Sequence, residues 1–294
     1  MKKQDYIVIT GASSGVGKSC VELLVSRGYR VIPCVRQVED AKRLEERYNE
    51  TVYPVIVDLQ YQQAISSAAE SIARISGDNG IKGLVNCAGT IFSGPIEHFP
   101  RDLWFKQYDV NLIGTMAFTT SIIPLLRKME GRIVNIGAVG GGIALPFFGA
   151  IASAKIAFEA ANDCLRRELY PWGIHVIIIE PGGINTPAND KMRDSVADYL
   201  KSTDQVGIQK YRHAMESFTK WAYEKHLKNL APSQVADTVL KALSARRPRT
   251  RYRRGWDSWG VVLAKWLLPD RLLDQIIMRI ASLPPGFGKA IKKG

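Results

Sequence analysis

The residues from Gly131 to Lys155 hold the positions that decide what chemistry this chain can perform. Their sequence, GRIVNIGAVGGGIALPFFGAIASAK, predicts a buried strand at 132–136, then a glycine-rich loop, then a helix that carries Lys155. Four residues before this lysine stands Ile151, and thirteen residues before Ile151 stands Ala138. Neither side chain can donate or accept a hydrogen bond or ionise. A lysine amine is therefore combined with two apolar positions.

A glycine-rich turn, TGASSGVG, is the second chemical feature of the sequence. Its glycines allow a sharp turn and a close approach to a pyrophosphate, while the following helix N-terminus offers unpaired N–H groups. A glycine pattern alone also fits an ordinary tight turn, but its position between a predicted strand and helix favours nucleotide binding. The candidate contacts are Gly11, Ser13, Ser14, Gly15, Val16 and Gly17.

The elements around these motifs alternate between strand and helix. Continuous Val/Ile-rich runs occur at 5–10, 29–35, 52–57, 83–89, 132–136 and 175–180. Such runs indicate strands buried on both faces, and the helices between them imply parallel pairing. We expect an α/β fold with a Rossmann-type doubly wound parallel sheet, in a single domain with a C-terminal helical extension.

The domain organisation follows from length and from the absence of repeats or linkers before residue 240. A chain of 294 residues is long enough for one large α/β domain. We expect this domain at 1–240, with a substrate lid at about 182–230, and a basic amphipathic extension at 241–294. Within the extension, RPRTRYRRG predicts an edge strand, and 256–283 predicts a helix interrupted by Pro269.

Charge is concentrated in the extension. Residues 241–294 contain thirteen lysines and arginines against three aspartates, whereas residues 1–240 contain 27 basic and 25 acidic side chains. This asymmetry indicates a surface-binding tail and not a nucleic-acid-binding body. Four cysteines without metal-ligand spacing are expected to be buried free thiols, which is typical of a reducing, cytoplasmic setting. No metal site, secretory signal or membrane-spanning helix is expected.

Six elements of the sequence resemble, in order and spacing, the short-chain dehydrogenase/reductase family over about residues 4–190. They are TGASSGVG, Asp58, NCAG at 86–89, Asn111, Lys155 and PGGINT at 181–186. The tail resembles that of retinol- and hydroxysteroid-dehydrogenase-like members. The resemblance implies that Asp58 contacts adenine, that Asn86 supports the central strand and ribose region, and that Lys155 holds the nicotinamide ribose. Further cofactor contacts are implied for Leu59, Ala88, Gly89, Asn111, Pro181, Gly182, Ile184 and Thr186.

Cofactor choice in this family depends on the end of the second strand. NAD-binding members carry an acid there for the ribose 2′-hydroxyl, whereas this chain has CVRQ with Arg36. A guanidinium suits a 2′-phosphate, with help from Ser13, although Arg36 also fits a solvated loop cation. NADP(H) is favoured over NAD(H).

The family's catalytic tyrosine and serine would stand at Ile151 and Ala138, while Asn111 and Lys155 are retained. General acid catalysis contributes about 10²–10⁴-fold, and an oxyanion donor about 10²–10³-fold. Ordinary ketone or alcohol turnover should therefore be impaired. The enoyl-reductase variant places its tyrosine seven residues before the lysine, where this chain has Phe148.

Three hypotheses remain open. The first is an NADP(H)-binding enzyme that acts on a lipophilic small molecule without this acid, by iminium or other activated C=N reduction, or by cofactor-bound cyclisation or isomerisation. The second is a carbonyl reductase or alcohol dehydrogenase with a substitute acid such as His98, His213 or Tyr211. The third is a non-catalytic nucleotide-binding pseudoenzyme.

The expected substrate pocket is apolar. Its wall comprises the Ile143, Leu145, Phe148 and Ile151 side chains, and a stripe on a lid helix adds Tyr211 and Phe218. Packing of that helix on the core is an equally open reading. A steroid, retinoid, terpenoid or polycyclic alkaloid would suit such a pocket.

The tail places apolar and aromatic side chains at helical spacing, with cations around them: Trp256, Trp259, Val262, Leu263, Trp266 and Leu267. This pattern favours peripheral membrane contact through 256–283; the alternative is a helix that caps the pocket or a dimer partner. The resemblance also implies a homodimer or homotetramer through the helix at about 152–170.

Overall fold

The computed structural model describes residues 5–139, 144–202, 206–227 and 229–283. Its centre is a seven-stranded sheet in which every neighbouring pair is parallel. The strands are β1 (Tyr6–Thr10), β2 (Arg30–Val35), β3 (Val55–Ile56), β4 (Gly83–Asn86), β5 (Arg132–Ile136), β6 (His175–Pro181) and β7 (Arg251–Arg254). Their order is β3-β2-β1-β4-β5-β6-β7. The predicted doubly wound parallel sheet is confirmed.

Helices cover both faces of this sheet. They are α1 (Gly15–Ser26), α2 (Val38–Tyr48), α3 (Gln62–Ser76), α4 (Arg101–Tyr108), α5 (Gly114–Arg127), α6 (Gly149–Leu169), α7 (Pro187–Ser202), α8 (Val206–Leu227), α9 (Pro232–Ser244), α10 (Trp256–Leu267) and α11 (Asp270–Ile280). Ile7 and Ile9 of β1 pack on the side of α1 and α9, and Val8 packs on the side of α3 and α5. Successive strand residues point to opposite faces, so two covered faces require a continuous apolar run.

The third strand is shorter than predicted. Apolar residues at 52–57 suggest a full strand, but β3 contains only Val55 and Ile56. Val52 forms an isolated bridge with Val31. Pro54, between these two paired regions, has no N–H to donate, which accounts for the interruption of the ladder.

The stretch Arg101–Arg127 is long and apolar enough, by length and composition alone, to cross a membrane. Its apolar side chains are used inside the fold, since Phe118, Ile122 and Leu126 are completely buried in the core with α3. Residues Asp109–Ile113 within it form a π-helical turn, which the sequence pattern did not predict. The stretch therefore has the character of a core helix that contains one π-helical turn.

The extension is partly built into the domain. The boundary suggested after residue 240 falls inside α9, and the predicted edge strand in RPRTRYRRG is β7, paired with Ile178–Pro181 of β6. Residues 256–283 form two helices, α10 and α11, which are separated at Leu268 and Pro269. Among its described residues, the extension therefore leaves the sheet after Arg254.

The cysteines differ in exposure. Cys20 and Cys34 are buried, Cys87 is half-buried, and Cys164 is exposed on α6. The expectation of burial is wrong for Cys164, because that position falls on the solvent-facing side of the helix. Burial raises the pKa of the Cys34 thiol, which keeps it protonated.

Candidate active site

The glycine-rich turn packs directly against the chain that leaves β4. Gly11 has a φ of +63°, and a Cβ at this residue would lie 2.8 Å from the Cα atom of Ala88. A Cβ on Gly17 would lie 2.2 Å from the carbonyl oxygen of Gly11. Both positions exclude a side chain, so the backbone can approach a ligand that a larger residue would block.

Helix α1 begins at Gly15, directly after the exposed Ser13 and Ser14. Its first turn contains no acidic side chain that would compete with a bound anion. Val16 is buried beneath it. A Cβ on Gly15 would lie 3.2 Å from the Cγ2 atom of Thr186, so the loop after β6 reaches this turn. The arrangement offers backbone N–H groups and a positive dipole end to an anion.

Thr10 joins the turn to the NCAG motif, a role that the sequence reasoning missed. Its Oγ1 accepts hydrogen bonds from the backbone N–H groups of Cys87 at 3.1 Å and Ala88 at 3.2 Å. The residue is buried at the end of β1. The sequence did contain a signal for this contact: a threonine at the end of an otherwise apolar strand. A buried hydroxyl needs a hydrogen-bond partner.

The ends of β2 and β3 bring the predicted adenosine-side residues to the same edge. Arg36 is exposed directly after β2. Asp58 follows the β3 region, and its Oδ1 accepts hydrogen bonds from the backbone N–H of Gln60 at 3.0 Å and from Gln60 Nε2 at 3.3 Å. Leu59 is buried beside it, and its carbonyl oxygen lies 1.9 Å from where a Cβ on Gly114 would stand. Ligands of open α/β sheets bind at this carboxyl edge.

Asn86 points into the protein. Its Nδ2 donates to Thr119 Oγ1 at 2.9 Å and to Asn135 Oδ1 at 2.8 Å, and Asn135 in turn donates to Asn162 Oδ1 at 2.9 Å. This buried chain of amides ties β4, β5, α5 and α6 together. The contact of Asn86 with a ribose stays a prediction.

Asn111 lies in the π-helical turn and secures the loop after β4. Its Nδ2 donates to the carbonyl oxygens of Thr90 at 3.0 Å and Gln107 at 2.8 Å, and its Oδ1 accepts from the Thr90 N–H at 3.3 Å. Gln107, which the sequence reasoning missed, holds the Thr90 carbonyl at 2.7 Å and the Phe92 N–H at 2.9 Å. Gly89 lies beside this group, since its Cβ would be 3.0 Å from Asn111 Oδ1.

Lys155 projects from α6 toward the end of β5. Its Nζ donates to the carbonyl oxygen of Ile136 at 2.9 Å and lies 5.4 Å from the centre of the Phe158 ring. Burial lowers the pKa of this amine to about 8, and the neighbouring Cys87 thiol partly opposes that shift. A lysine amine with this pKa can hold or release a proton near neutral pH.

The side chains of Ile151 and Ala138 are both half-buried. Ile151 precedes Lys155 by four residues on α6, which places both on the same side of the helix, and Ala138 follows β5. The site thus has an amine whose neighbours at these two positions are hydrocarbon. Ile143 lies outside the described residues.

The lid forms a third apolar cluster. Phe218 is completely buried, with its ring centre 5.5 Å from that of Phe147 and 5.1 Å from that of Phe148. Leu145 packs on the same cluster. The prediction that Phe218 lines an open pocket is therefore corrected: in this structure it fills the lid core, which is the alternative reading of the same helical stripe.

The three candidate substitute acids are placed around the lid. The hydroxyl of Tyr211 donates to Glu97 Oε2 at 2.7 Å, and this hydrogen bond is the main reason that the pKa of Tyr211 is raised. His98 packs against Tyr211, with ring centres 5.9 Å apart, and its imidazole lies close to Gly207. His213 is exposed on α8. Tyr211 and His98 therefore belong to the contact between the lid and residues 97–98.

The PGGINT segment links the sheet to the lid. Pro181 is the buried last residue of β6, and the Gly182 N–H donates to the Arg254 carbonyl oxygen at 2.9 Å. The carbonyl oxygen of half-buried Ile184 accepts from Asn189 Nδ2 at 2.8 Å. The segment is thus fixed at both ends before α7 begins.

A family profile described as short chain dehydrogenase matches residues 5–197. The chain is 34% identical to an NADPH-dependent 3-dehydrocapnine reductase of Ornithobacterium rhinotracheale, over 93% of this chain and 96% of that protein. It is 35% identical to the 17-beta-hydroxysteroid dehydrogenase type 6 of Bos taurus, over 93% and 88%. It is 32% identical to human (Homo sapiens) retinol dehydrogenase 16, over 96% and 90%.

Solved structures share the fold. A short chain dehydrogenase from Burkholderia cenocepacia J2315 in complex with NADP superimposes with a TM-score of 0.71 at 22% identity, over 95% of this chain and 99% of that one. A short-chain dehydrogenase from Streptomyces avermitilis gives a TM-score of 0.72 at 22% identity, over 95% and 98%.

Proposed function

This chain belongs to the short-chain dehydrogenase family, and we propose that it is an NADP(H)-dependent oxidoreductase of a lipophilic small molecule that carries an activated C=N bond. The observation that carries the proposal is the combination of three side chains near the carboxyl end of β5. Lys155 is retained with a lowered pKa, while Ala138 and Ile151 leave no other proton donor at the two positions beside it.

The residues at the sheet edge fit NADP(H). Gly11 and Gly17 let a ligand approach the backbone of the turn closely, because neither carries a side chain. The N-terminus of α1 suits a pyrophosphate, and the Arg36 guanidinium suits a 2′-phosphate. One relative is described as NADPH-dependent, and one fold neighbour was solved with NADP. The cofactor supplies or accepts a hydride. Lys155 would hold the nicotinamide ribose beside Ile151.

The choice of an activated C=N bond follows from proton handling. Reduction of a ketone needs a proton at the developing alkoxide, whereas hydride addition to an iminium carbon leaves a neutral amine and needs none. The apolar Ala138 and Ile151 cannot supply that proton. They can exclude water from the reacting carbon, which favours hydride transfer over hydrolysis of the substrate.

A lipophilic substrate is supported by the neighbouring wall. Leu145 and Phe148, which precede Ile151 by six and three residues in the chain, pack against the apolar lid cluster. The names of two relatives refer to a hydroxysteroid and to retinol, both of which are largely hydrocarbon.

Carbonyl reduction with a substitute acid is less well supported by the contacts. Tyr211 uses its hydroxyl on Glu97, His98 is packed at the lid, and His213 is exposed. Cofactor-bound cyclisation or isomerisation, and simple nucleotide binding, agree with the same site but consume no hydride.

One comparison tests these possibilities. NADPH binding is measured by fluorescence, and NADPH oxidation is then followed with a matched pair of polycyclic substrates, an N-alkyl iminium salt and the corresponding ketone. The proposal requires binding together with oxidation that is at least about tenfold faster with the iminium salt, because general acid catalysis is worth about 10²–10⁴-fold to the ketone. Faster ketone reduction overturns the choice of C=N. Binding without oxidation by either substrate overturns the oxidoreductase assignment.

A further inference from the structure

The two C-terminal helices present an apolar surface to solvent. Its side chains lie at spacings of three and four residues on each helix, so each set shares one helix face. We call this the tail face: Leu263, Trp266 and Leu267 on α10, and Leu272, Ile276 and Ile280 on α11. Trp266 is 82% exposed. The side chains of Trp256, Trp259 and Val262, which the sequence also suggested, lie outside the described part of the chain.

The opposite side of α11 is anchored to the domain. Leu273 is buried, and Ala281 and Leu283, which directly follow α11, pack into the lid cluster that contains Phe218. The helix is therefore held in place by other residues, and the tail face is left outward. Six large apolar side chains exposed on two adjacent helices are unusual unless a partner covers them.

The charge around the tail face favours an anionic partner. Among the described residues, Lys265, Arg271 and Arg279 are exposed on the same two helices, against Asp270 and Asp274. In the sequence after Arg254, six lysines and arginines stand against three aspartates. A second copy of this surface would bring like charges together, whereas anionic lipid headgroups would neutralise them.

We propose that the tail face docks on the surface of an anionic lipid bilayer. The apolar side chains enter the boundary between headgroups and acyl chains, with Trp266 at the level where indole is favoured, and the cations meet the headgroups. The docking does not depend on the proposed reaction. Because α11 ends in the lid cluster, the docked protein also holds its lid at the membrane surface, where a lipophilic substrate would be concentrated.

The experiment is co-sedimentation of the full chain with vesicles of phosphatidylcholine alone and of phosphatidylcholine with 30 mol% phosphatidylglycerol. Trp266→Glu removes the most exposed apolar side chain and adds an opposing charge. Trp172→Glu is the matched control, because Trp172 is also exposed but lies on the body of the domain. Lys265→Gln tests the electrostatic part. Thermal unfolding and gel filtration of each variant accompany the binding data.

We expect binding to the anionic vesicles, a loss of about tenfold or more with Trp266→Glu, and about fivefold weaker binding with Lys265→Gln, in line with the contribution of one cation near an anionic surface. Trp172→Glu should bind like the unmodified chain. Absence of vesicle binding, or equal losses with Trp266→Glu and Trp172→Glu, overturns the proposal. If Trp266→Glu halves the mass of the protein in solution but still binds vesicles, the tail face contacts a second copy of the chain. That result also overturns the proposal.

Discussion

The ammonium group of Lys155 donates a hydrogen bond to the carbonyl oxygen of Ile136 at 2.9 Å. This contact joins α6 to the last residue of β5, at the carboxyl edge where the candidate nucleotide site lies. Burial at this place lowers the pKa of the amine to about 8. Of the three side chains Lys155, Ile151 and Ala138, only the lysine can carry a charge, and with this pKa that charge changes within an accessible pH range.

The rate of hydride transfer to an N-alkyl iminium salt should rise with pH through about 8. Below this pH Lys155 is charged and repels the cationic substrate, whereas deprotonation above it removes the like charge. The measurement is kcat/KM for NADPH oxidation between pH 6.5 and 9.5. Lys155→Met should lose this pH dependence, even if its cofactor affinity also falls. A rate that instead decreases through pH 8 would identify Lys155 as a proton donor and favour carbonyl reduction.

Gly17→Ala should abolish tight NADPH binding. The new Cβ would lie 2.2 Å from the Gly11 carbonyl oxygen, so the turn must move, at a cost of about 1–3 kcal/mol in stability. NADPH binding is read by fluorescence and stability by thermal unfolding. Gly260→Ala is the control, because no atom lies within 4 Å of its added Cβ. Unchanged NADPH affinity in Gly17→Ala would show that the turn does not hold the cofactor.

Arg36→Ala should weaken NADPH binding and leave NADH binding unchanged. A charge-assisted hydrogen bond to a 2′-phosphate is worth about 1.5–3 kcal/mol, or roughly 10–100-fold in Kd. The side chain is exposed, so the fold should be unaffected. Arg43→Ala on α2 is an exposed control that should alter neither affinity. Equal losses for NADPH and NADH in Arg36→Ala would exclude a specific contact with the 2′-phosphate.

The sheet and the cofactor turn were predictable because their signals are local. The run from Tyr6 to Thr10 and the following glycines lie within a few residues of one another, and each implies its structure through backbone freedom or burial. The π-helical turn at Asp109–Ile113 has no comparable signal, since it differs from α-helix only in which carbonyl each N–H meets.

Contacts between distant segments were not predictable from one sequence. Phe218 fits both a pocket wall and a helix core by its spacing, and only the positions of Phe147 and Phe148 decide between them. Likewise, RPRTRYRRG predicted a strand, but nothing in it indicated that Arg251 and Arg253 meet a buried Glu180.

Glu180→Gln should destabilise the protein. Its carboxylate is buried on β6 between Arg251 and Arg253 of β7, and Arg251 also meets Glu159 at 3.3 Å. Removal of one partner from a buried ion pair costs about 3–5 kcal/mol of stability. Because the arginines are partly exposed, we expect a loss at the lower end, about 3 kcal/mol.

The measurement for Glu180→Gln is the free energy of unfolding in urea. Glu224→Gln is the matched control, because its pair with Lys220 is on the surface, and surface pairs contribute about 0–1 kcal/mol. Equal effects of the two substitutions would mean that β7 is held to the sheet by its backbone hydrogen bonds alone.

Ala138→Ser combined with Ile151→Tyr should create carbonyl reductase activity. Both positions are half-buried, and Ile151 lies on the same side of α6 as Lys155, so a tyrosine hydroxyl there would stand in the field of an amine that lowers its pKa. General acid catalysis contributes about 10²–10⁴-fold, so NADPH oxidation with a lipophilic ketone should rise by about 10²-fold or more. Ile156→Tyr, at an exposed position of the same helix, is the matched control and should leave ketone reduction unchanged. If the unmodified chain already reduces the ketone as fast as the double variant, another group supplies the proton, and the choice of an activated C=N substrate is wrong.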